Sequence, residues 1–162
     1  MPARFLVRRS AIHGNGVFAR IPLAAARRVL EYRGRLITHA EANRLYGGSV
    51  EQGHTFLFNL NESYIIDGNQ GGNSARWINH SCTPNCRAEV HVNIDGDARR
   101  DRVIIVALRD IAPGEEITYN YGIVLEVPHT PRLKRLWACR CGTPRCSGTL
   151  LQPRARHRAG AA

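Results

Sequence analysis

No run of this 162-residue chain approaches the roughly 18 consecutive apolar residues that a membrane-spanning helix needs, and the opening Met1-Pro2-Ala3-Arg4 lacks the apolar stretch of a secretory signal. The expectation is a soluble, cytoplasmic protein with no membrane partner. Cysteine is scarce and odd in number, five in all, which argues against a disulfide framework and for reduced thiols, whose clustering suits a metal. Acidic residues are also short, 13 against 23 basic ones, and arginine supplies nearly all of the surplus. A net charge of +10 suits an anionic partner, nucleic acid or an acidic protein surface, although a GC-rich genome enriches Arg and Ala without any such demand. The Gly14-Asn15-Gly16 turn has neither the third glycine nor the long following helix of a dinucleotide or P-loop site, so it allows only a close approach of some ligand to backbone.

What is present reads as one domain with a small appendage, rich in short strands. Phe5 to Arg8, Val17-Phe18-Ala19, Val29 to Tyr32 and Arg35 to Ile37 are apolar or β-branched runs cut by glycine turns. The Thr38-x-x-Glu41 spacing predicts a helix with a capping box, carried by Ala40, Ala42 and Leu45 to a Gly47-Gly48 stop. Thr55 to Leu60 and Tyr64 to Ile66 predict two more strands. Glu89 to Asn93 and Arg102 to Leu108, around Asp95-Gly96, give the strongest hairpin signal. Ala112-Pro113-Gly114 fits a tight turn before the strand Glu116 to Tyr119. The Tyr119-Asn120-Tyr121 spacing points two phenols to one side of an extended backbone, where packing alone also accounts for them.

One stretch carries more chemistry than packing requires. Arg76-Trp77-Ile78-Asn79-His80-Ser81-Cys82-Thr83-Pro84-Asn85-Cys86 gathers two Asn, a His, a Ser and two Cys after a Gly-rich approach. It could be a metal site, a Cys/His nucleophile pair, an amide-lined grip on a small ligand, or a polar loop over a buried Cys. A hydrolase using Cys82 and His80 is disfavoured, because adjacent residues rarely orient onto each other and no separate acid is visible. Cys139-x-Cys141-x4-Cys146, shaped by Gly142 and Pro144, suits thiolates converging on zinc, which wants a fourth ligand from afar: Cys82, Cys86, His80 or His129.

Taken together, Asn79 to Asn85, Gly114-Glu115-Glu116-Ile117-Thr118-Tyr119-Asn120-Tyr121-Gly122 and the Cys-x-Cys-x4-Cys run with Gly148 resemble a SET-domain protein lysine methyltransferase with a post-SET zinc segment. Gly14 to Ala19 and Glu31-Tyr32-x-Gly34-x-x-Ile37-Thr38 resemble that family's opening motifs, in its order. The resemblance implies a mainly β SET-domain fold: several small sheets around a pseudoknot, one or two short helices and a C-terminal zinc-stapled loop. It divides the chain into a SET domain over 4–125, a post-SET zinc segment over 126–151 and a basic, disordered tail over 152–162. It implies S-adenosylmethionine held by Gly14, Asn15, Gly16, Arg76, Trp77, Asn79 and His80, and structural zinc on Cys82, Cys139, Cys141 and Cys146, with Cys86 spare. Tyr121 matches the catalytic Tyr, Tyr32 a lining position of the lysine channel, and Tyr119 the position that influences how many methyls are added. The implied partner is a protein presenting a lysine, a histone or histone-like protein among the options, with nucleic acid reachable through the basic surface. Arg35, Asn120 and Phe56 depart from the family's usual residues. The rival reading is a basic zinc-containing chromatin or nucleic-acid module that keeps the scaffold without the transfer.

Overall fold

The computed structural model describes residues 3–47 and 55–153, so Gly48 and the tail beyond Pro153 lie outside the described residues. The described chain is mainly β, in three small sheets, with two short helices. One sheet orders its strands β1-β2-β10-β7, where β1 is Phe5–Arg9, β2 Asn15–Ala19, β7 Asn79–His80 and β10 Glu116–Tyr119. The second is β3-β9-β8, with β3 Arg28–Tyr32, β8 Cys86–His91 and β9 Arg102–Ala107, and the third is β4-β6-β5, with β4 Arg35–Thr38, β5 Leu57–Asn59 and β6 Tyr64–Asp67.

The inner faces of these sheets share one core, in which Val17, Val29, Ile66, Ile78, Val103, Ile105 and Ile117 meet Tyr32 and Tyr119. The strands are short; β2, β9 and β10 are buried at consecutive positions, on both of their sides, whereas β1 is exposed apart from Phe5, which packs against the core. Cys86 is fully buried there and packs as an apolar group; burial pushes its thiol up to about 12. A smaller cluster of Leu133, Trp137 and Leu151 lies in the C-terminal segment.

Helix α1, His39–Tyr46, starts as the capping box predicts: the Thr38 side chain accepts from the Glu41 amide at 3.1 Å. Its end differs, since Gly47 keeps a right-handed φ of −54° and does not form the left-handed stop. The Ala112-Pro113-Gly114 turn closes with Gly114 at φ +86° and the Glu115 amide on the Ala112 carbonyl at 3.2 Å. The expected hairpin is β8–β9, but β8 begins at Cys86, opposite Ala107, and stops at His91 because the Asn93 amide turns to the Asp101 carboxylate at 2.8 Å. β5 is shorter than the predicted Thr55 to Leu60, since Thr55 Oγ1 takes the Leu57 amide at 3.0 Å and the Phe56 carbonyl accepts from the Tyr32 hydroxyl at 2.7 Å. Helix α2, Pro131–Leu136, is set by Thr130 as N-cap, accepting from the Leu133 amide at 3.2 Å, with Pro131 in the first turn.

Gly34 joins β3 to β4 where a Cβ would overlap the main chain of Asp67. Asp67 is fully buried and its carboxylate is held by Asn69 at 2.9 Å and by the Tyr46 hydroxyl at 2.7 Å, so it has nowhere to retreat. Gly34→Ala is expected to cost about 2–3 kcal/mol, read as a lowered midpoint in urea unfolding; an unchanged midpoint would show that the two loops can part.

Candidate functional site

The parallel pairing of β7 with β10 sets Asn79 beside Thr118 and His80 beside Tyr119, and the Ser81 amide adds a bond to the Tyr119 carbonyl at 3.2 Å. Asn85 fastens the loop that follows: its Oδ1 accepts from the Thr118 amide at 2.9 Å, and its Nδ2 donates to the Glu116 carbonyl at 2.8 Å. The polar run singled out by the sequence is therefore fastened to the strand from Glu116 to Tyr119 at both Asn79-His80 and Asn85.

Asn79 is 7% exposed and spends its amide inside the protein. Nδ2 points at the His13 carbonyl (3.1 Å), the Asn15 carbonyl (2.9 Å) and Glu116 Oε1 (2.8 Å), so two protons serve three acceptors. Glu116 also takes the Ser10 hydroxyl at 2.7 Å, and Ser10 Oγ accepts from the Ile12 amide at 2.9 Å. The loop from Ser10 to Gly16 is thus supported from below by one carboxylate and one amide. Gly16 makes room for them, because a Cβ there would overlap the Glu116 carboxylate.

Above this support lies a cavity of about 160 Å³. Of the residues expected at a cofactor, Gly14, Asn15, Arg76, Trp77, Asn79 and His80 line it; Gly16 does not, its role being the clearance just described. The Arg76 guanidinium donates to the Gly68 carbonyl at 3.1 Å and sits 4.5 Å from the Trp77 ring centroid, while Trp77 meets Phe56 edge-on at 5.1 Å. Leu136, Ala138, Arg140 and Leu150 close the remaining wall from the C-terminal segment.

Tyr121 forms part of the wall, with Tyr119 tilted against it at 5.1 Å between centroids and Phe58 linking Tyr119 to Tyr32 at 6.2 and 5.3 Å. The three tyrosines expected at the reaction therefore share one aromatic cluster, although only Tyr121 borders this cavity. Its hydroxyl donates to the Ile78 carbonyl at 2.7 Å, and burial pushes its pKa well above the ordinary phenol range, so it is protonated at neutral pH. Burial acts the same way on Tyr32 and Tyr119.

His80 is 2% exposed, and burial lowers its tendency to protonate, so the ring is neutral. Nδ1 accepts from the Tyr121 amide at 3.1 Å, which assigns the proton to Nε2, 3.5 Å from Cys82 Sγ. Cys82 belongs to a cluster with Cys139, Cys141 and Cys146 whose four sulfurs all lie within 4.8 Å of one another. The Cys82 and Cys139 sulfurs are 3.8 Å apart, which is the edge of a tetrahedron with metal–sulfur bonds of about 2.3 Å. Backbone amides of Ser147 and Gly148 point at Cys82 and Cys146 from 3.4 Å each, the donor pattern that thiolates favour. The chemistry of this set fits zinc. Of the other candidates for the fourth ligand, His129 accepts from the Leu125 amide at 3.2 Å, Cys86 is buried in the main core and His80 faces Cys82 from outside the cluster.

A SET-domain family model matches residues 14–122, about two thirds of the chain. This chain belongs to the SET-domain family. It is 39% identical over 144 residues to a histone-lysine N-methyltransferase, H3 lysine-4 specific, of Kluyveromyces lactis, covering 88% of this chain and 14% of that protein. A histone-lysine N-methyltransferase of Arabidopsis thaliana is 36% identical over 154 residues, 93% of this chain and 13% of its own length. The H3 lysine-4 specific protein of Saccharomyces cerevisiae is 39% identical over 144 residues, 88% and 13%. This SET-domain chain thus spans about one seventh of the length of the relatives it matches.

Ser10, Asn85 and Glu116 support the site without having been assigned a role from sequence. Asn85 and Glu116 lie inside the two polar motifs, but nothing local tells which of Glu115 and Glu116 turns inward; Glu115 instead pairs with Arg109 and Asn85. Of the departures from the family's residues, Arg35 is directed to Glu41 at 2.7 Å and Asn120 Oδ1 accepts from the Gly122 amide at 2.9 Å, both at the surface, whereas Phe56 is part of the cavity wall.

Proposed function

We propose that this chain carries the active site of a protein-lysine N-methyltransferase that uses S-adenosylmethionine as methyl donor and acts on a histone or histone-like protein. The observation that carries the reading is the cavity where the His13–Asn15 loop, Arg76, Trp77, Asn79 and His80 meet the wall formed by Tyr121. The histone-lysine names of the relatives support the substrate class and favour action where such proteins reside over the cytoplasmic expectation. The SET domain is assigned to 4–125 and the zinc segment to 126–151, with Cys82, Cys139, Cys141 and Cys146 as ligands.

The donor supplies an electrophilic methyl on a sulfonium, and its transfer to an amine is an in-line displacement. The protein's part is alignment and the presentation of lysine without its proton. At pH 7 a lysine with pKa about 10.4 is neutral in about one molecule in a few thousand, a deficit of about 4.6 kcal/mol. The aromatic cluster of Tyr32, Tyr119 and Phe58 behind Tyr121 would lower that deficit for an amine brought against it, since burial among apolar rings disfavours the ammonium. Tyr121 gives its only proton to Ile78, so its oxygen offers lone pairs to an amine N–H or a polarised methyl C–H; it orients the reactants and is no general base. In the cofactor half, Arg76 and Trp77 provide a flat cationic-aromatic face, and Gly14 and Asn15 bring main chain close to the ligand.

Incubation with labelled donor and histones, basic nucleoid proteins or a cell lysate is expected to give label on lysine. No transfer to any protein, together with no binding of S-adenosylmethionine, overturns the proposal in favour of a scaffold that has lost the reaction. The chain holds a single lysine, Lys134, exposed on α2, so label on a lysine of the chain itself is confined to that residue.

A further inference from the structure

His80 lines the cavity, yet neither ring nitrogen is left over for a ligand. Nδ1 accepts from the Tyr121 amide at 3.1 Å, and Nε2–H faces the Cys82 sulfur at 3.5 Å. The two neighbours lie on opposite sides of the ring and belong to different parts of the fold: Tyr121 follows β10, and Cys82 sits in the thiol cluster. The His80 side chain is 2% exposed, so both bonds lie away from bulk solvent. The backbone pairing places them there, because His80 is opposite Tyr119 in the parallel ladder and the last bond of that ladder runs from Ser81 to the Tyr119 carbonyl. Beyond Tyr119 the strand has no further ladder bond to β7, so the Tyr121 amide depends on the imidazole for its partner.

From this geometry we infer that His80 is a positioning residue that links the metal-binding thiol cluster to the backbone of Tyr121, holding Cys82 with one nitrogen and the tyrosine with the other. The inference rests on the assignment of Cys82 as a zinc ligand. It changes the part His80 plays: its ring is a strut between two sites, and only its face and edge are offered to whatever fills the cavity. Among the described residues the Cys82 sulfur has one other nitrogen donor, the Ser147 amide at 3.4 Å. The Ser147 hydroxyl, also 3.4 Å away, already gives its proton to the Thr149 carbonyl at 2.7 Å. Loss of the imidazole therefore removes one of two N–H donors to that sulfur, and outer donors of this kind typically govern about 10- to 100-fold in metal affinity.

Two nearly isosteric substitutions separate the two bonds. In His80→Asn the amide oxygen occupies the place of Nδ1 and nothing reaches Cys82; in His80→Gln the amide nitrogen reaches the place of Nε2 and the Nδ1 acceptor is gone. Zinc retention is read by competition with a chromophoric chelator, and the Tyr121 amide by its hydrogen-exchange rate in the zinc-loaded protein. The expected pattern is crossed. His80→Asn weakens zinc retention about 10-fold or more and keeps the Tyr121 amide protected, while His80→Gln keeps zinc within about threefold and exposes that amide to exchange.

Equal losses in both variants on both readouts, or no loss in either, would show a ring that merely fills space and would overturn the link. A His80→Asn protein that retains zinc like the parent overturns its metal half in particular. Neither readout involves S-adenosylmethionine or methyl transfer, so failure of the proposed activity and failure of the link are told apart. A protein that carries no zinc in its unsubstituted form removes the premise of the link and overturns it outright.

Discussion

Replacing Tyr121 by Phe is expected to reduce methyl transfer by about 10²- to 10³-fold, about 3–4 kcal/mol of barrier, while the dissociation constant for S-adenosylmethionine changes by less than about threefold. The ring would remain, edge-on to His80 at 5.4 Å and against Tyr119 at 5.1 Å, so the cavity keeps its wall. What is lost is one oxygen, fixed by its bond to Ile78, whose lone pairs are proposed to orient the amine. The Ile78 carbonyl also loses a partner, at a stability cost of about 1 kcal/mol. Single-turnover rates and calorimetric binding check the pair of outcomes. A variant with the parent rate would remove Tyr121 from the chemistry, and one that no longer binds the donor would make the hydroxyl a structural group.

The second large effect concerns the thiols. Cys82→Ser is expected to lower zinc content from about one per chain to under a tenth, with loss of order in the C-terminal segment and at least a tenfold weaker grip on S-adenosylmethionine. Structural zinc sites contribute apparent free energies of about 10–16 kcal/mol at pH 7, so no set of contacts within the small Leu133, Trp137 and Leu151 cluster can take their place. That cluster belongs to the segment that supplies Leu136, Ala138, Arg140 and Leu150 to the cavity, which is why a metal lesion is expected to reach the proposed cofactor site. Cys86→Ser is the contrast. It places a hydroxyl in a fully buried core position and is expected to cost stability with zinc retained, which elemental analysis and thermal unfolding distinguish. Metal-free protein that is folded and active would contradict the four-thiol assignment.

The parts of this molecule that could be read from sequence are those written locally. The Thr38/Glu41 capping box, the Pro113-Gly114 turn and the alternation of β8 with β9 each depend on residues a few positions apart, and each recurs in the structure with small shifts at the ends. The Thr130-Pro131 pair is a helix-start signal of the same local kind for α2. The residues at the site were also legible as types, because Asn, His and Cys cluster there beyond any packing need. What sequence could not show is how they are held. Glu116 meets Ser10 across 106 positions and Asn79 across 37, and the Asn79–Thr118 pairing is parallel, a contact that no hairpin signal announces. Gly16 illustrates the same limit. It reads as a glycine for a ligand to approach, and it is a glycine for a carboxylate to approach.

The cavity draws its wall from Ile12 at one extreme and Leu150 at the other, with β2 and β10 joined only after nearly the whole domain lies between them. Contacts of such high sequence separation form late, since each closes a long loop before it is rewarded. On a ribosome, then, the β8–β9 hairpin can form while its strands are barely made, but the ligand pocket has no complete wall until Leu150 is made. A chain cut short before that residue lacks part of the wall of this cavity.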